Sequence, residues 1–216
     1  MHIKKLKHCC MVIKVPGQGG KHTVIVTDPG SYSIEEHDKI AYADIILITH
    51  EHADHFHLES VKALAKRSPG VSVIANDAVG DLLAREGIEH RIMKHGNAIE
   101  VKGVHLEAYG ELHAVIHSSL PRVSNVGFFI ENKLFYPGDA LVDPEKPVDV
   151  LALPVAGPWL KIGEAIDYAI QVKPRLAFPV HDAVRSAFQH TLPEMVLSQN
   201  GIEFIKLEDG GELEVK

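Results

Sequence analysis

Only two cysteines occur in 216 residues. They are adjacent, Cys9 and Cys10, so they cannot build a disulfide framework and nothing in the chain calls for an oxidising compartment. They read as reduced side chains packed in the first strand. Long apolar runs are also missing, which excludes a membrane-spanning helix. The basic opening from Met1 to His8 is followed by only five residues, Cys9 to Ile13, before Lys14, too few for the core of a signal peptide. A cytoplasmic protein is the expectation. Positive charge is not in excess: 22 Lys+Arg against 29 Asp+Glu leave a net charge of −7. That balance excludes a broad cationic surface and disfavours nucleic acid as a partner. Repeats, low-complexity tracts and linkers are absent too, so one domain over residues 1–216 is expected.

What is present is a globular composition, with 45% hydrophobic residues, and an unusual 15 histidines. The first third reads as strands: Ile3 to Val15, a glycine-rich turn over Pro16 to Gly20, then Thr23 to Thr27 closed by Asp28-Pro29-Gly30. Ala43 to Thr49 reads as a buried strand. Leu58, Val61, Leu64 and Ala65 form a helical stripe, Val71 to Ala75 a strand, and Asp77 offers an N-cap for a further helix. Between Ile88 and Tyr136 the chain reads as mainly extended, with a hairpin whose arms are Val126 to Glu131 and Leu134 to Tyr136. Beyond it, strands at Val148 to Leu153 and Leu176 to Val180 flank a helix over Ile162 to Ile170. Thr191-Leu-Pro-Glu194 has the form of a capping box opening a last helix, before strands at Ile202 to Leu207 and Glu212 to Val215. Two mixed sheets packed together, with helices outside, would bury these patterns.

The chemistry concentrates in Thr49-His50-Glu51-His52-Ala53-Asp54-His55-Phe56-His57, four imidazoles and two carboxylates in nine residues directly after a buried strand. A loop at a strand end aims several side chains at one point. Imidazole nitrogens with a carboxylate suit zinc, and also iron or manganese, whereas calcium would want more oxygens.

His50, His52, Asp54 and His55 match the His-x-His-x-Asp-His signature of the metallo-β-lactamase superfamily, which the chain resembles over residues 1 to 216. Tyr136-Pro137-Gly138-Asp139 is similar to the family's Gly-Asp motif, and Phe178-Pro-Val-His181-Asp182 to the strand end that delivers its last histidine. Asp28-Pro29-Gly30 resembles an early supporting segment. The family places a further histidine between the first motif and the Gly-Asp motif, and here both His113 and His117 are available, four apart and so on one face of a strand. His113 is preferred because it follows directly on the strand Val104 to Tyr109, which leaves His117 to the substrate cavity or solvent. His57, His95, His105 and His190 match no motif and read as ordinary histidines.

The resemblance implies an α/β fold, a four-layer αββα sandwich of two mixed sheets with helices on the outer faces. It also implies two divalent metal ions, zinc first with iron or manganese as alternatives. His50, His52 and His113 would hold one; Asp54, His55 and His181 the other; Asp139 would bridge them. Two such cations acidify a shared water and polarise a substrate oxygen, and Asp54 would also be the catalytic residue that steers the attack.

Departures narrow the branch. Flavodiiron-type members have glutamate where His52 stands, and true β-lactamases lack the aspartate seen as Asp139. The length leaves no room for the inserted domain of the nucleic-acid-processing nucleases. The chain resembles the small hydrolases of esters, lactones or phosphodiesters, with a small-molecule substrate, no membrane partner and compatibility with a homo-oligomer. The alternatives are a nucleic-acid phosphodiesterase and a non-catalytic metal-binding module. Arg122 is a candidate anion clamp and Trp159 a candidate pocket wall, each equally compatible with an ordinary structural role.

Overall fold

The computed structural model describes residues 1–17, 20–184, 186 and 188–216. Gln18 and Gly19 of the expected glycine-rich turn lie outside the described residues. The first sheet contains β1 (His2–Lys7), β2 (Cys10–Pro16), β3 (His22–Thr27), β4 (Ile45–Ile48), β5 (Ser72–Ala75) and β6 (Arg91–Ile92). The second contains β7 (Ala98–Val101), β8 (Val104–Tyr109), β9 (Gly127–Ile130), β10 (Leu134–Tyr136), β11 (Val150–Pro154), β12 (Leu176–Val180) and β13 (Glu203–Phe204). The last strand, β14 (Glu212–Glu214), returns to the first sheet beside β1, giving the orders β14-β1-β2-β3-β4-β5-β6 and β13-β12-β11-β10-β9-β8-β7. Both sheets are mixed. The pairs β3-β4, β4-β5 and β5-β6 are parallel, as are β10-β11, β11-β12 and β12-β13.

Four layers follow from strands that are apolar on both faces. In β4, Ile45 and Leu47 point into the space between the sheets, where they meet Phe128, Tyr136 and Phe178 in one cluster. The alternate residues Ile46 and Ile48 point outward onto Val61, Leu64, Val79 and Leu83 of α2 (Leu58–Arg67) and α3 (Asp77–Arg85). The second sheet repeats the scheme: Leu151 and Leu153 pack on Ala165, Ala169 and Leu197 of α4 (Ile162–Val172) and α5 (Phe188–Gln199). A short α1 (Ile34–His37) lies between β3 and β4 in the chain. The fold is therefore the expected αββα sandwich. Among the described residues no helix is long and apolar enough to cross a membrane.

Several local expectations need correction. The segment Ile3 to Val15 is a hairpin of two strands turning at His8, whose φ is +57°. Cys9 therefore sits in the turn and only Cys10 in a strand, although both are buried. The N-cap of α3 is Asn76, whose side chain accepts from Val79 N, while Asp77 is the first helical residue. Thr191 lies inside α5, which already begins at Phe188 and carries Pro193 in its interior. Upstream of it, Gln189 Oε1 accepts from Ser186 N at 2.8 Å. The extended reading of Ile202 to Leu207 contracts to the two residues Glu203–Phe204. Around His113 and His117 there is no strand, only an irregular loop with one isolated bridge, Leu112 to Ser124.

Candidate metal centre

Parallel strands in both sheets end at one side of the sandwich, and the loops leaving them converge there. Asp28 follows β3, the segment from Thr49 to His57 follows β4, Asp139 follows β10 and His181 follows β12. Asp28 is the hub beneath them. Its Oδ1 accepts from Thr49 N at 2.8 Å, and its Oδ2 accepts from Thr49 Oγ1 and His55 Nδ1, both at 2.7 Å, and from the Tyr136 hydroxyl. A carboxylate on Nδ1 fixes the proton there and leaves His55 Nε2 bare and aimed into the cluster.

Close backbone approach brings the loops this near. A Cβ on Gly30 would lie 1.8 Å from the Asp54 carbonyl oxygen, so only glycine lets the β3 end pass the motif loop. Ser31 N donates to Ala53 O at 2.7 Å, and His57 N donates to Pro29 O at 3.0 Å. Gly138 has φ +64°, and a Cβ there would lie 2.4 Å from Asn125 Oδ1. That same Asn125 oxygen accepts from Asp139 N at 3.0 Å, while its amide donates to Pro137 O at 2.9 Å.

Eight residues meet in the resulting space. His50, His52 and His113 form one group whose ligand atoms lie within 4.8 Å of one another, and His8, Asp54, His55 and His181 form another. Asp139 touches both: Oδ2 is 3.3 Å from His113 Nε2 and 3.0 Å from His181 Nε2, and Oδ1 is 3.1 Å from His55 Nε2. Asp54 Oδ2 is 3.4 Å from His181 Nε2. His113 Nδ1 donates to the carbonyl of Ala114 at 2.6 Å, again leaving Nε2 free. Buried and without a hydrogen-bond partner are His55 Nε2, His113 Nε2, His181 Nε2 and Asp139 Oδ1. Orphaned buried polar atoms are rare, and these face one another across a few ångströms.

Electrostatics marks the same need for cations. Burial alone would raise the Asp139 carboxyl, yet the charges of His55 and His181 hold it well below the usual carboxylate range. Asp54 is likewise raised by burial and pulled far down by the neighbouring imidazoles of His181 and His8. Burial disfavours the charged form of His181, but Asp139 outweighs it and pushes the group up to about 9. In the protein without ions, a proton on His181 supplies part of the positive charge that these two carboxylates demand. The donor set therefore fits divalent ions of the nitrogen- and oxygen-preferring kind.

Other residues take supporting places. His117 is exposed and pairs with Ser119 at 2.8 Å, outside the cluster. Arg122 Nε donates to the carbonyl of His113 at 2.6 Å, so it braces that loop. His57, His95, His105 and His190 also stay outside; His190 bonds Asp182 at 2.9 Å, and buried Lys5 reaches the same carboxylate at 2.6 Å. Sequence reading missed His8, whose Nε2 lies 3.2 Å from Asp54 Oδ2, because nothing in its spacing links it to residues more than 40 positions away. It left Trp159 open; the indole Nε1 donates to Asp139 Oδ2 at 2.9 Å.

Residues 2–181 match the family model described as beta-lactamase superfamily domain. A protein of Mycobacterium tuberculosis is 33% identical over 189 residues, 85% of each chain. A Methanocaldococcus jannaschii protein named UPF0173 metal-dependent hydrolase is 27% identical over 183 residues, 80% of this chain and 78% of that one. Among solved structures, a metallo hydrolase from Ignicoccus hospitalis superposes with a TM-score of 0.75 over 100% of both chains at 17% identity.

Proposed function

The chain belongs to the beta-lactamase superfamily domain family, and on that premise we propose that it is a metal-dependent hydrolase with a binuclear centre. His50, His52 and His113 would hold one divalent ion, Asp54, His55 and His181 the other, and Asp139 would bridge them. Zinc is the first candidate, iron or manganese the next. The substrate class is a small molecule with an ester, lactone or phosphodiester bond. The observation that carries this reading is the convergence of three unpartnered histidine Nε2 atoms and Asp139 Oδ1 in one buried cluster. The names of relatives such as the Methanocaldococcus jannaschii protein support it.

Bound divalent ions would polarise the substrate oxygen and acidify a water. The protein's own residues divide the remaining work by exposure. The Asp139 side chain is 3% exposed, suited to holding charge away from solvent, whereas Asp54 is 26% exposed and within reach of solvent. Contacts from His8, His55 and His181 fall on Asp54 Oδ2, so Oδ1 is the oxygen available to orient an attacking water and take its proton. The Trp159 indole keeps Asp139 aimed at the cluster and its ring edges against His113 and His181.

The test is a panel of chromogenic esters, lactones and phosphodiesters on protein stripped of metal and then reconstituted with zinc, iron or manganese. Turnover of at least one class, lost with chelator and restored with metal, is expected. Full metal loading with no turnover across the panel would favour a binding module.

A further inference from the structure

His8 sits at the β1–β2 turn, 2% exposed, with its carbonyl and both ring nitrogens engaged. Its carbonyl accepts from His181 N at 3.3 Å. Its Nδ1 accepts from the backbone amide of Ala183, also at 3.3 Å. Its Nε2 lies 3.2 Å from Asp54 Oδ2. Tyr32 meets its ring at 5.0 Å between centroids and His181 at 4.2 Å, which confines the plane.

The two nitrogens of a neutral imidazole cannot both be bare. An amide N–H has only a proton to give, so the His8 Nδ1 facing Ala183 must present its lone pair. The ring proton is then on Nε2, and that N–H donates to Asp54 Oδ2. This polarity is the reverse of that in His55 and His113, whose Nδ1 atoms donate to Asp28 and to the Ala114 carbonyl and so leave Nε2 with a free lone pair. By distance alone His8 groups with Asp54, His55 and His181 as a metal-binding set. By hydrogen-bond polarity it does not.

We propose that His8 is a positioning residue that holds the Asp54 carboxylate through a proton fixed on Nε2, and that it is not a metal ligand. This rests on the proposed function in that it takes Asp54 to be a ligand. The β1–β2 turn thereby grips two neighbouring loops at once. Its backbone carbonyl and Nδ1 take the amides of His181 and Ala183, while its Nε2 braces Asp54 on the loop after β4. Partners of this kind are worth roughly 10- to 100-fold in metal affinity.

The test uses the full chain labelled with 15N-histidine, metal-free and zinc-loaded, with the His8 signals identified by their loss in His8→Gln. The Nε2–H tautomer is expected in both states. The Nδ1–H tautomer, or direct coordination of zinc by the ring, would overturn the proposal. Competition with a chromophoric chelator then measures zinc affinity in two variants. His8→Gln, which keeps an N–H near the Nε2 position, should bind zinc like the wild type, whereas His8→Leu should weaken one site roughly 10- to 100-fold. Equal loss of one ion in both variants would make His8 a ligand, and wild-type affinity in His8→Leu would remove its positioning role. If His8→Leu does not fold, His8→Gln and the wild-type tautomer decide. A wild-type chain that takes up no zinc would contradict the proposed function, while the tautomer in the metal-free chain would still decide the polarity argument.

Discussion

Asp54 and Asp139 are two carboxylates of one cluster in different surroundings, and the difference sets what each substitution should do. Asp139 is enclosed by His55, His113, His181 and Trp159, whereas Asp54 is partly exposed to solvent. Asp54→Asn preserves the shape and removes the charge, so turnover of any substrate found should fall by several orders of magnitude in steady-state kinetics. Near-normal turnover at full metal occupancy would place the chemistry elsewhere. The two candidate histidines separate as cleanly. His113→Ala should lose metal and activity, while His117→Ala, altering an exposed side chain paired with Ser119, should keep its metal by elemental analysis and shift mainly KM. Loss of metal from His117→Ala alone would reverse the assignment.

At the scale of elements, the centre depends on loops that leave parallel strands and pass within van der Waals distance of one another. Gly30→Ala would drive a Cβ into the Asp54 carbonyl and to 2.6 Å from His55 N. It should cost about 1–3 kcal/mol, with a lowered Tm and weakened metal binding; an unchanged Tm would show that the loops are not locked together there. Most of the elements were legible in sequence because two-sided apolar strands such as Ile45–Ile48 and Leu176–Val180, and stripes such as Val61 and Leu64, carry their own period. The misread segments lack that signal. The turn at His8 relies on a left-handed residue without glycine or asparagine to mark it, and the loop holding His113 is shaped by Arg122 and the Asp139 backbone rather than by any periodicity. The motif residues His50, His52, Asp54 and His55 were legible because they crowd one loop. His8 and the Trp159 contact to Asp139 exist only once strands distant in sequence are side by side.

For the whole molecule, the sandwich joins two half-sites. The first sheet delivers His8, Asp28 and the motif loop, the second delivers His113, Asp139 and His181, and Asp139 faces histidines from both. Ions at this junction would tie the layers together. Saturating metal should therefore raise Tm relative to chelator-treated protein, by an amount corresponding to about 4 kcal/mol at a thousandfold excess over Kd for each site. An identical Tm with and without metal would mean that the ions bind outside the junction. The most direct measurement of the central claim is elemental analysis of protein stripped with chelator, reconstituted with zinc and freed of excess metal. His50, His52, Asp54, His55, His113, Asp139 and His181 exceed what one tetrahedral ion needs, so about two ions per chain are predicted. A value that stays at one or zero, with zinc and then with iron or manganese, would contradict the binuclear centre.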